Sequence, residues 1–262
     1  MMARVIVTRP RREADLWVQQ LRDRGLVAQA LPLIEIAPIP DPQPVADAWR
    51  RLHLYDAVMF VSGNAVEQFF ALKPLEMSWG ATSPADAPRA WATGPGTRQA
   101  LQQAGIADAD VDAPDVAATQ FDSEALWLRV APVLSPRSRV LIVRGSDAAG
   151  RSAGRPWLSD QLQTAGATVD LLPVYQRLAP AWSPVERALA AEALHDGSVW
   201  LFSSSEAVLH LRELLPGHAF GAGRAVATHP RIAQAARDAG FGVVAEARPA
   251  LDDVIASIES FR

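Results

Sequence analysis

Short apolar runs alternate with amphipathic stretches along most of the chain. Val5-Ile6-Val7 has the length of a strand, and apolar residues at helical spacing follow from about Glu13 to Arg24, closed by Gly25. Continuous apolar runs are typical of strands buried on both faces, and a glycine commonly closes a helix. The pattern therefore predicts an α/β fold of the doubly wound type, with parallel sheets covered by helices on both faces.

This pattern occurs twice in the chain. Both copies end with a helix-like stretch that closes at a glycine, Gly105 in one copy and Gly240 in the other. Similar segments in the same order indicate two similar units rather than one large one. The matching pairs are residues 4–9 with 139–144, residues 58–66 with 200–208, and residues 89–95 with 224–230.

Two proline-bracketed segments predict where the chain passes from one unit to the other. Residues 31–38 resemble residues 172–180, and both segments are extended in pattern. Prolines interrupt strands inside a sheet and stiffen linkers. We therefore interpret them as two crossings, near residues 34–39 and 173–180, which together form a two-stranded linker.

These crossings make the first predicted domain discontinuous. It joins residues 1–37 to residues 178–262, and residues 39–173 form the second α/β domain. Two tandem domains divided near residue 135 are the alternative, which the paired proline segments disfavour. Small and polar residues predict loops at residues 77–88 and 146–156.

Composition and charge narrow the class of protein. A chain of 262 residues suits one large or two small domains. The formal net charge of −4 argues against nucleic-acid binding, which usually shows as a basic domain. No apolar run has the length of a membrane span or a signal peptide, so we expect a cytoplasmic protein without a membrane partner. The absence of cysteine excludes disulfides and cysteine-based metal or redox sites.

Several predicted strand ends carry glycine or small hydroxyl-bearing residues just before a helix. Unpaired backbone N–H groups at a helix start attract anions, and small residues let an anion approach. Each segment alone also fits an ordinary helix cap. Together, six such ends indicate a large polyanionic ligand, which we expect in the cleft between the two domains. The candidate binding residues are Thr8, Arg9, Ser62, Gly63, Asn64, Gly94, Thr97, Arg144, Gly145, Ser203, Ser204, Ser205, Thr228 and His229.

No motif identifies a known cofactor site. The segment at residues 94–97 lacks the length and the lysine of a phosphate-binding loop, and no dinucleotide-type glycine fingerprint follows a strand. The five histidines show no metal-ligand spacing, and the acidic residues 108–115 are more typical of a solvated loop than of a metal site. Nicotinamide or flavin binding is therefore disfavoured, as is a nucleotide-dependent or flavodoxin-like enzyme, and no segment indicates a metal site.

Six short motifs occur in the same order over nearly the whole chain, at residues 7–10, 60–66, 92–97, 143–145, 174–177 and 202–205. Together these motifs resemble the uroporphyrinogen-III synthase family. The resemblance implies two α/β domains joined by a two-stranded ribbon. It also implies a monomeric, cofactor-independent lyase whose small-molecule substrate, the linear tetrapyrrole hydroxymethylbilane, carries eight carboxylates. That substrate would lose water and cyclise with inversion of its last pyrrole ring.

The resemblance also assigns one catalytic candidate. Tyr175 lies in the returning crossing and matches a tyrosine that is proposed to assist departure of the substrate hydroxyl. Packing at a domain junction is the alternative role for this side chain. The last repeat departs from the family pattern, since His229 stands where a glycine is common and Arg231 and Ile232 stand where threonines are common. A non-catalytic two-domain anion-binding or regulatory protein is the alternative to an enzyme.

Overall fold

The chain divides into two compact units. The structure, a computed structural model, describes residues 3–80, 87–115, 121–151 and 156–261. The first unit comprises Met1–Glu35 with Leu178–Arg262, and the second unit comprises Ile36–Arg177. That each unit folds independently, as the predicted domain boundaries require, stays a prediction.

Strands and helices alternate along the described residues. In chain order they are β1 (Val5–Val7), α1 (Arg11–Asp23), β2 (Ala28–Ala30), β3 (Glu35–Pro38), α2 (Gln43–Arg50), β4 (Ala57–Phe60), α3 (Gly63–Ala71), β5 (Arg89–Ala92), α4 (Pro95–Gln103), β6 (Val111–Asp112), α5 (Ser123–Val130), β7 (Arg139–Ser146), α6 (Trp157–Thr164), β8 (Thr168–Leu178), α7 (Pro184–Ala193), β9 (Val199–Phe202), α8 (Ser205–Leu214), β10 (Arg224–Ala227), α9 (Pro230–Asp238), β11 (Val243–Glu246) and α10 (Leu251–Glu259).

Each unit contains one sheet. The first unit has the strand order β11-β10-β9-β1-β2, and its neighbouring strands run parallel. The second unit has the order β3-β8-β7-β4-β5-β6, in which the pairs from β8 to β6 are parallel. The two predicted crossings correspond to β3 and β8, which are neighbours at one edge of the second sheet.

The sequence repeat matches equivalent positions in the two sheets. β10, β9 and β1 follow one another in the first sheet, and β5, β4 and β7 follow one another in the same order in the second. The first pair of matched segments, residues 4–9 and 139–144, contains β1 and β7. In the sheets, β1 lies beside β9 and β7 lies beside β4, and these two neighbours belong to the second matched pair. The repeat therefore reflects the same spatial order of strands in both sheets, although the chain forms the equivalent strands in a different order in each unit.

Helices cover both faces of each sheet, as predicted. In the second unit Val58 and Phe60 pack against residues of α2, α3 and α4, whereas their neighbours Ala57 and Met59 pack against α5 and α6. Successive strand residues point to opposite faces, so this division places helices on both. In the first unit Val5 and Val7 pack against α1 and α10, and on the other face Trp200 of β9 donates a hydrogen bond to the Ala193 carbonyl of α7 at 3.2 Å. These contacts confirm the α/β fold class.

The helix boundaries follow the sequence signals closely. Helix α1 begins at Arg11, two residues before the predicted start, directly after the N-cap residue Pro10, whose ψ of 148° is extended. Gly25, which follows this helix, has a φ of +80°, a conformation that glycine adopts without strain. Of the predicted loops, residues 81–86 and 152–155 lie outside the described residues, and Ser146 belongs to β7 instead of a loop. No helix among the described residues is long and apolar enough to cross a membrane.

Candidate functional site

In the second unit, the carboxyl ends of four neighbouring strands bring the predicted residues to one edge of the sheet. Ser62 follows β4 and caps α3, where its Oγ accepts a hydrogen bond from the Ala65 backbone N–H at 3.2 Å. Thr93 follows β5, and its Oγ1 donates to the Val61 carbonyl at 3.3 Å. This bond ties two adjacent strand ends together, so the first turns of α3 and α4 start side by side.

The two glycines at this edge differ in the room around them. A Cβ on Gly94 would lie 3.2 Å from Phe121 Cβ, which is a tight contact, whereas a Cβ on Gly63 would lie 3.7 Å from Ala100 Cβ, an ordinary van der Waals distance. Thr97, in the first turn of α4, is buried, and Asn64, in the first turn of α3, is half-buried. The structure thus places the predicted residues of both segments at helix N-termini.

Tyr175 lies against Gly145 on the neighbouring strand. The register of β7 and β8 shifts between Arg144 and Gly145, which brings Gly145 opposite Tyr175. A Cβ on Gly145 would approach the Tyr175 ring to 2.7 Å, so only glycine fits beneath the phenol. The Tyr175 side chain is buried, 1% exposed, and its hydroxyl lies 3.1 Å from Ser62 Oγ.

Arg144 carries a buried charge at the same strand end. The residue is 5% exposed, and within the described residues its Nε has no hydrogen-bond partner and no carboxylate pairs with it. Burial lowers the pKa of the Arg144 guanidinium, and the nearby Tyr175 phenol opposes this shift. A desolvated cation without a counter-ion costs free energy, so its presence at a strand end favours a binding role.

The corresponding arginine of the first unit is already paired. Arg9 follows β1, and its Nη1 lies 3.3 Å from Glu13 Oε2 while its guanidinium stacks 4.6 Å from the Trp17 ring centroid. Burial lowers the pKa of Arg9, and the Glu13 carboxylate opposes this shift. Thr8 is buried and donates to the Leu201 carbonyl at 2.7 Å. Both side chains therefore have partners within their own unit.

The remaining predicted residues lie at the ends of β9 and β10. Ser203 is half-buried, Ser204 caps α8 by accepting from the Glu206 N–H at 3.2 Å, and Ser205 begins that helix. Thr228 is buried at the end of β10. His229 caps α9, because its Nδ1 accepts from the Arg231 backbone N–H at 3.1 Å. An imidazole thus performs at this position the capping role usually given to Ser, Thr, Asp or Asn.

The comparison with protein families decides the identity. The model described as uroporphyrinogen-III synthase HemD matches residues 15–256, which is nearly the whole chain. The chain belongs to the uroporphyrinogen-III synthase family.

Individual relatives agree with this assignment. The uroporphyrinogen-III synthase of Chlorobaculum parvum is 28% identical over 188 residues, covering 71% of this chain and 68% of that protein. The crystal structure of the Helicobacter pylori enzyme matches with a TM-score of 0.59 at 19% identity over 99% of this chain and 100% of that one. A mutant enzyme from Thermus thermophilus gives a TM-score of 0.56 at 18% identity, covering 99% of this chain and 98% of that one. At these identities the structural matches show a shared fold.

The family assignment confirms the synthase function predicted from the sequence. None of these comparisons supports the alternative of a non-catalytic anion-binding protein. The family assignment does not by itself establish the roles of the individual site residues.

Within this family member, two features were not predicted from the sequence, one at the site and one in the acidic segment after α4. Ser146 is buried, and its Oγ donates to the Tyr175 carbonyl at 3.4 Å, a role that depends on the register of β7 and β8. The acidic segment after α4 is paired with arginines, since Arg98 binds Asp108 and Arg89 binds Asp112 through two hydrogen bonds each. No group of three or more His, Asp or Glu side chains among the described residues could hold a metal ion.

Proposed function

We propose that this chain acts as a cofactor-independent lyase, converting hydroxymethylbilane to uroporphyrinogen III with inversion of the last pyrrole ring. The family match supports the reaction. The observation that carries the proposed site is the buried Arg144, which lies beside Tyr175 at the carboxyl edge of the second sheet and has no carboxylate partner in the part of the chain that the structure describes.

Substrate binding would rest on carboxylate recognition. Hydroxymethylbilane carries eight carboxylates, and Arg144 supplies a guanidinium that no carboxylate of the described residues occupies. The N-termini of α3 and α4 add backbone N–H groups and the hydroxyl of Ser62 nearby. We extend the same role to Thr8, Arg9, Ser203–Ser205, Thr228 and His229 at the edge of the first sheet.

The reaction requires orientation more than strong acid–base chemistry. The C–O bond of the hydroxymethyl group breaks, its electron pair leaves with oxygen, and the oxygen takes up a proton to depart as water. The cationic azafulvene that remains is attacked by the substituted carbon of the last ring, and the rearranged ring later returns one proton to the medium. Holding the chain curled for this closure can supply ~7–11 kcal/mol.

We propose that Tyr175 assists departure of the hydroxyl, the role that the sequence resemblance suggests, either directly or through a neighbouring hydroxyl group. A phenol can donate to a departing oxygen, and Tyr175 is held against Gly145 with its hydroxyl next to Ser62. We expect Tyr175→Phe to raise the activation free energy of turnover by more than it lowers the free energy of unfolding. An equal loss of both would assign Tyr175 a packing role.

Isomer analysis tests the proposed reaction directly. The purified protein, dialysed against a chelator, is incubated with enzymatically made hydroxymethylbilane, and the products are oxidised and separated. We expect type III product, while a heat-denatured control gives only the type I isomer of spontaneous closure. Exclusive type I product from the native protein would reject the synthase function, and a need for added metal would reject cofactor independence.

Three further expectations accompany this proposal. We propose that the protein works in the cytoplasm, as a monomer and without nucleic acid. Size-exclusion chromatography with light scattering tests the monomer, because a stable dimer would double the mass of 28.2 kDa.

A further inference from the structure

We propose that Ser62, and not Tyr175, donates the hydrogen bond to the leaving hydroxyl, and that Tyr175 acts on the substrate through Ser62. The inference rests on the proposed function, in which this strand end assists loss of water. The sequence resemblance suggests instead that Tyr175 itself contacts the leaving hydroxyl.

Burial separates the two hydroxyl groups. Tyr175 is 1% exposed and belongs to the apolar core of the second unit, together with Phe60, Ala65 and Val66. Ser62 is half-buried and lies at the start of α3, beyond the end of β4. A ligand approaching the carboxyl edge of the sheet therefore meets Ser62 before it meets the phenol.

The donor and acceptor roles follow from the partners each group has. The Tyr175 hydroxyl has Ser62 Oγ, at 3.1 Å, as its partner within the described part of the chain. If Ser62 donated to Tyr175, the phenolic proton would be buried without an acceptor, which proteins avoid. Tyr175 is therefore the donor and Ser62 Oγ the acceptor.

This direction leaves the Ser62 proton available. A serine hydroxyl has two acceptor lone pairs and one donor. Both lone pairs of Ser62 Oγ are engaged, one by the Ala65 N–H at 3.2 Å and the other by the Tyr175 hydroxyl. The hydroxyl hydrogen therefore remains available as a donor. The two hydrogen bonds that the oxygen accepts make the Ser62 hydroxyl a stronger donor. When it donates to the leaving oxygen, that oxygen departs with the electron pair of the C–O bond and takes its proton from the medium.

Gly145 makes the arrangement possible. The ring of Tyr175 occupies the space that a Cβ at residue 145 would fill, at 2.7 Å from the Tyr175 Cε2 atom. The ring is thereby fixed, and its hydroxyl stays aimed at Ser62 instead of at solvent. Tyr175 is a positioning residue in this mechanism, and Ser62 is the residue that touches the reacting group.

A double-mutant cycle tests the order of the two side chains. Ser62→Gly removes the hydroxyl but keeps a residue that caps helices well, so the protein is expected to fold. We expect kcat for uroporphyrinogen III formation to fall by roughly 10²-fold in Ser62→Gly and by about 10-fold in Tyr175→Phe, with small changes in KM. In the double variant, kcat should equal that of Ser62→Gly, because Tyr175 has no route to the substrate without Ser62.

Two further variants exclude a structural explanation. Ser62→Thr restores a hydroxyl at the same position and should recover most of the lost kcat. Ser183→Ala removes the serine cap of α7, where Ser183 Oγ accepts from the Glu186 N–H at 3.2 Å, and should lower Tm without lowering kcat.

The possible outcomes separate this inference from the proposed function. If Tyr175→Phe lowers kcat by the same factor in the Ser62→Gly protein as in the unaltered one, Tyr175 donates directly and the inference is wrong. If Ser62→Gly leaves kcat unchanged, the inference also fails. In either case type III product from the unaltered protein would still establish the synthase reaction.

Discussion

The two units share one topology but equip their strand ends differently. At the end of β7, Arg144 is buried and has no ion-pair partner among the described residues, whereas at the end of β1, Arg9 is paired with Glu13 and stacked on Trp17. The matched proline segments place Tyr175 in the second unit at the position that Ile34 occupies in the first. Among the described residues the two arginines thus differ in having a carboxylate partner, although the Nε of each lacks a hydrogen-bond partner.

This difference shows that a repeated fold does not imply a repeated site. The repeat supplies the same helix starts at both edges, with Ser62 and Ser204 as the equivalent caps of α3 and α8. Whether the arginine at a strand end is paired depends on the side chains of the helix that follows it. Helix α1 carries Glu13 and Trp17 next to Arg9, and no such pair is available to Arg144 within the described residues.

The largest expected effect comes from replacing Arg144. Arg144→Met keeps a similar volume but removes the charge, and we expect kcat/KM to fall by roughly 10²-fold through loss of a carboxylate contact. The free energy of unfolding should rise by about 1 kcal/mol or more, because a desolvated unpaired charge is removed. Steady-state kinetics and chemical denaturation measure the two effects.

The matched control is the paired arginine. Arg9→Met should lower kcat/KM by less than ~10-fold and should lower stability by about 0.5–1 kcal/mol, through loss of the ion pair and the ring contact. Equal kinetic losses in the two variants would contradict the comparison.

Gly145→Ala should have the next largest effect. The new Cβ would meet the Tyr175 ring at 2.7 Å and push the phenol away from Ser62. We expect kcat to fall by roughly 10-fold and the free energy of unfolding to fall by about 1–3 kcal/mol. Gly221→Ala in the first unit is the control, because a Cβ there has nothing within 4 Å and should change little. Unchanged turnover in Gly145→Ala would show that the position of the phenol is unimportant.

At the opposite, amino ends of the strands, the two units should respond to opposite extremes of pH. In the second unit, burial and a hydrogen bond to Asp170 raise the pKa of Tyr55 to about 12. The folded state therefore holds this proton more tightly than the unfolded state, whose pKa is about 10. The resulting stability is complete below about pH 10 and is lost as the pH rises toward about 12.

In the first unit the sign is reversed. Burial alone would raise the pKa of Asp196, but hydrogen bonds from Ser198 and the Arg4 guanidinium outweigh it and lower that pKa. This contribution is present above about pH 3.9 and is lost as the pH falls through the lowered value. Hydrogen exchange followed by mass spectrometry should show Tyr55→Phe removing alkaline sensitivity in the second unit and Asp196→Asn removing acid sensitivity in the first. The same pH response in both units would contradict this contrast.

The smallest effect is expected at His229, where the sequence departs from the family pattern. His229→Gly replaces the side-chain cap of α9 by a residue that caps nearly as well, so stability should fall by no more than about 0.5 kcal/mol. Gly94 already caps the equivalent helix α4 without a side chain. We expect position 229 to bind through the backbone of this helix start, so a rise in KM well above 2-fold would show that the imidazole itself contacts the substrate and that the first edge contributes more than the comparison suggests.

The fold was largely predictable because its signals are local. Apolar runs and closing glycines located the central strands and the helices α1, α4 and α9, and the repeat indicated two similar units. Where the prediction was wrong it concerned an end: Ser146 continues β7, because pairing with β8 extends to Gln176. Such pairing depends on a partner about thirty residues away and leaves no mark in a local pattern.

The candidate residues were predictable as a class, but their individual chemistry was not. Strand-end hydroxyls, glycines and arginines can be read from the chain, since each sits between a strand and a helix. The difference between Arg9 and Arg144, however, depends on which side chains surround each guanidinium. From the sequence alone both arginines carry the same expectation, because the repeat aligns them.

By itself, the sequence determined the fold class, the repeat and the family, because strand burial, helix periodicity and short motifs are properties of neighbouring residues. Tertiary structure alone decided that Gly145 lies beneath Tyr175, that Tyr175 reaches Ser62, and that Arg144 is buried without a carboxylate among the described residues. These facts depend on a register shift between two strands and on packing between distant segments, and the resulting desolvation and hydrogen-bond partners exist only once the chain has folded.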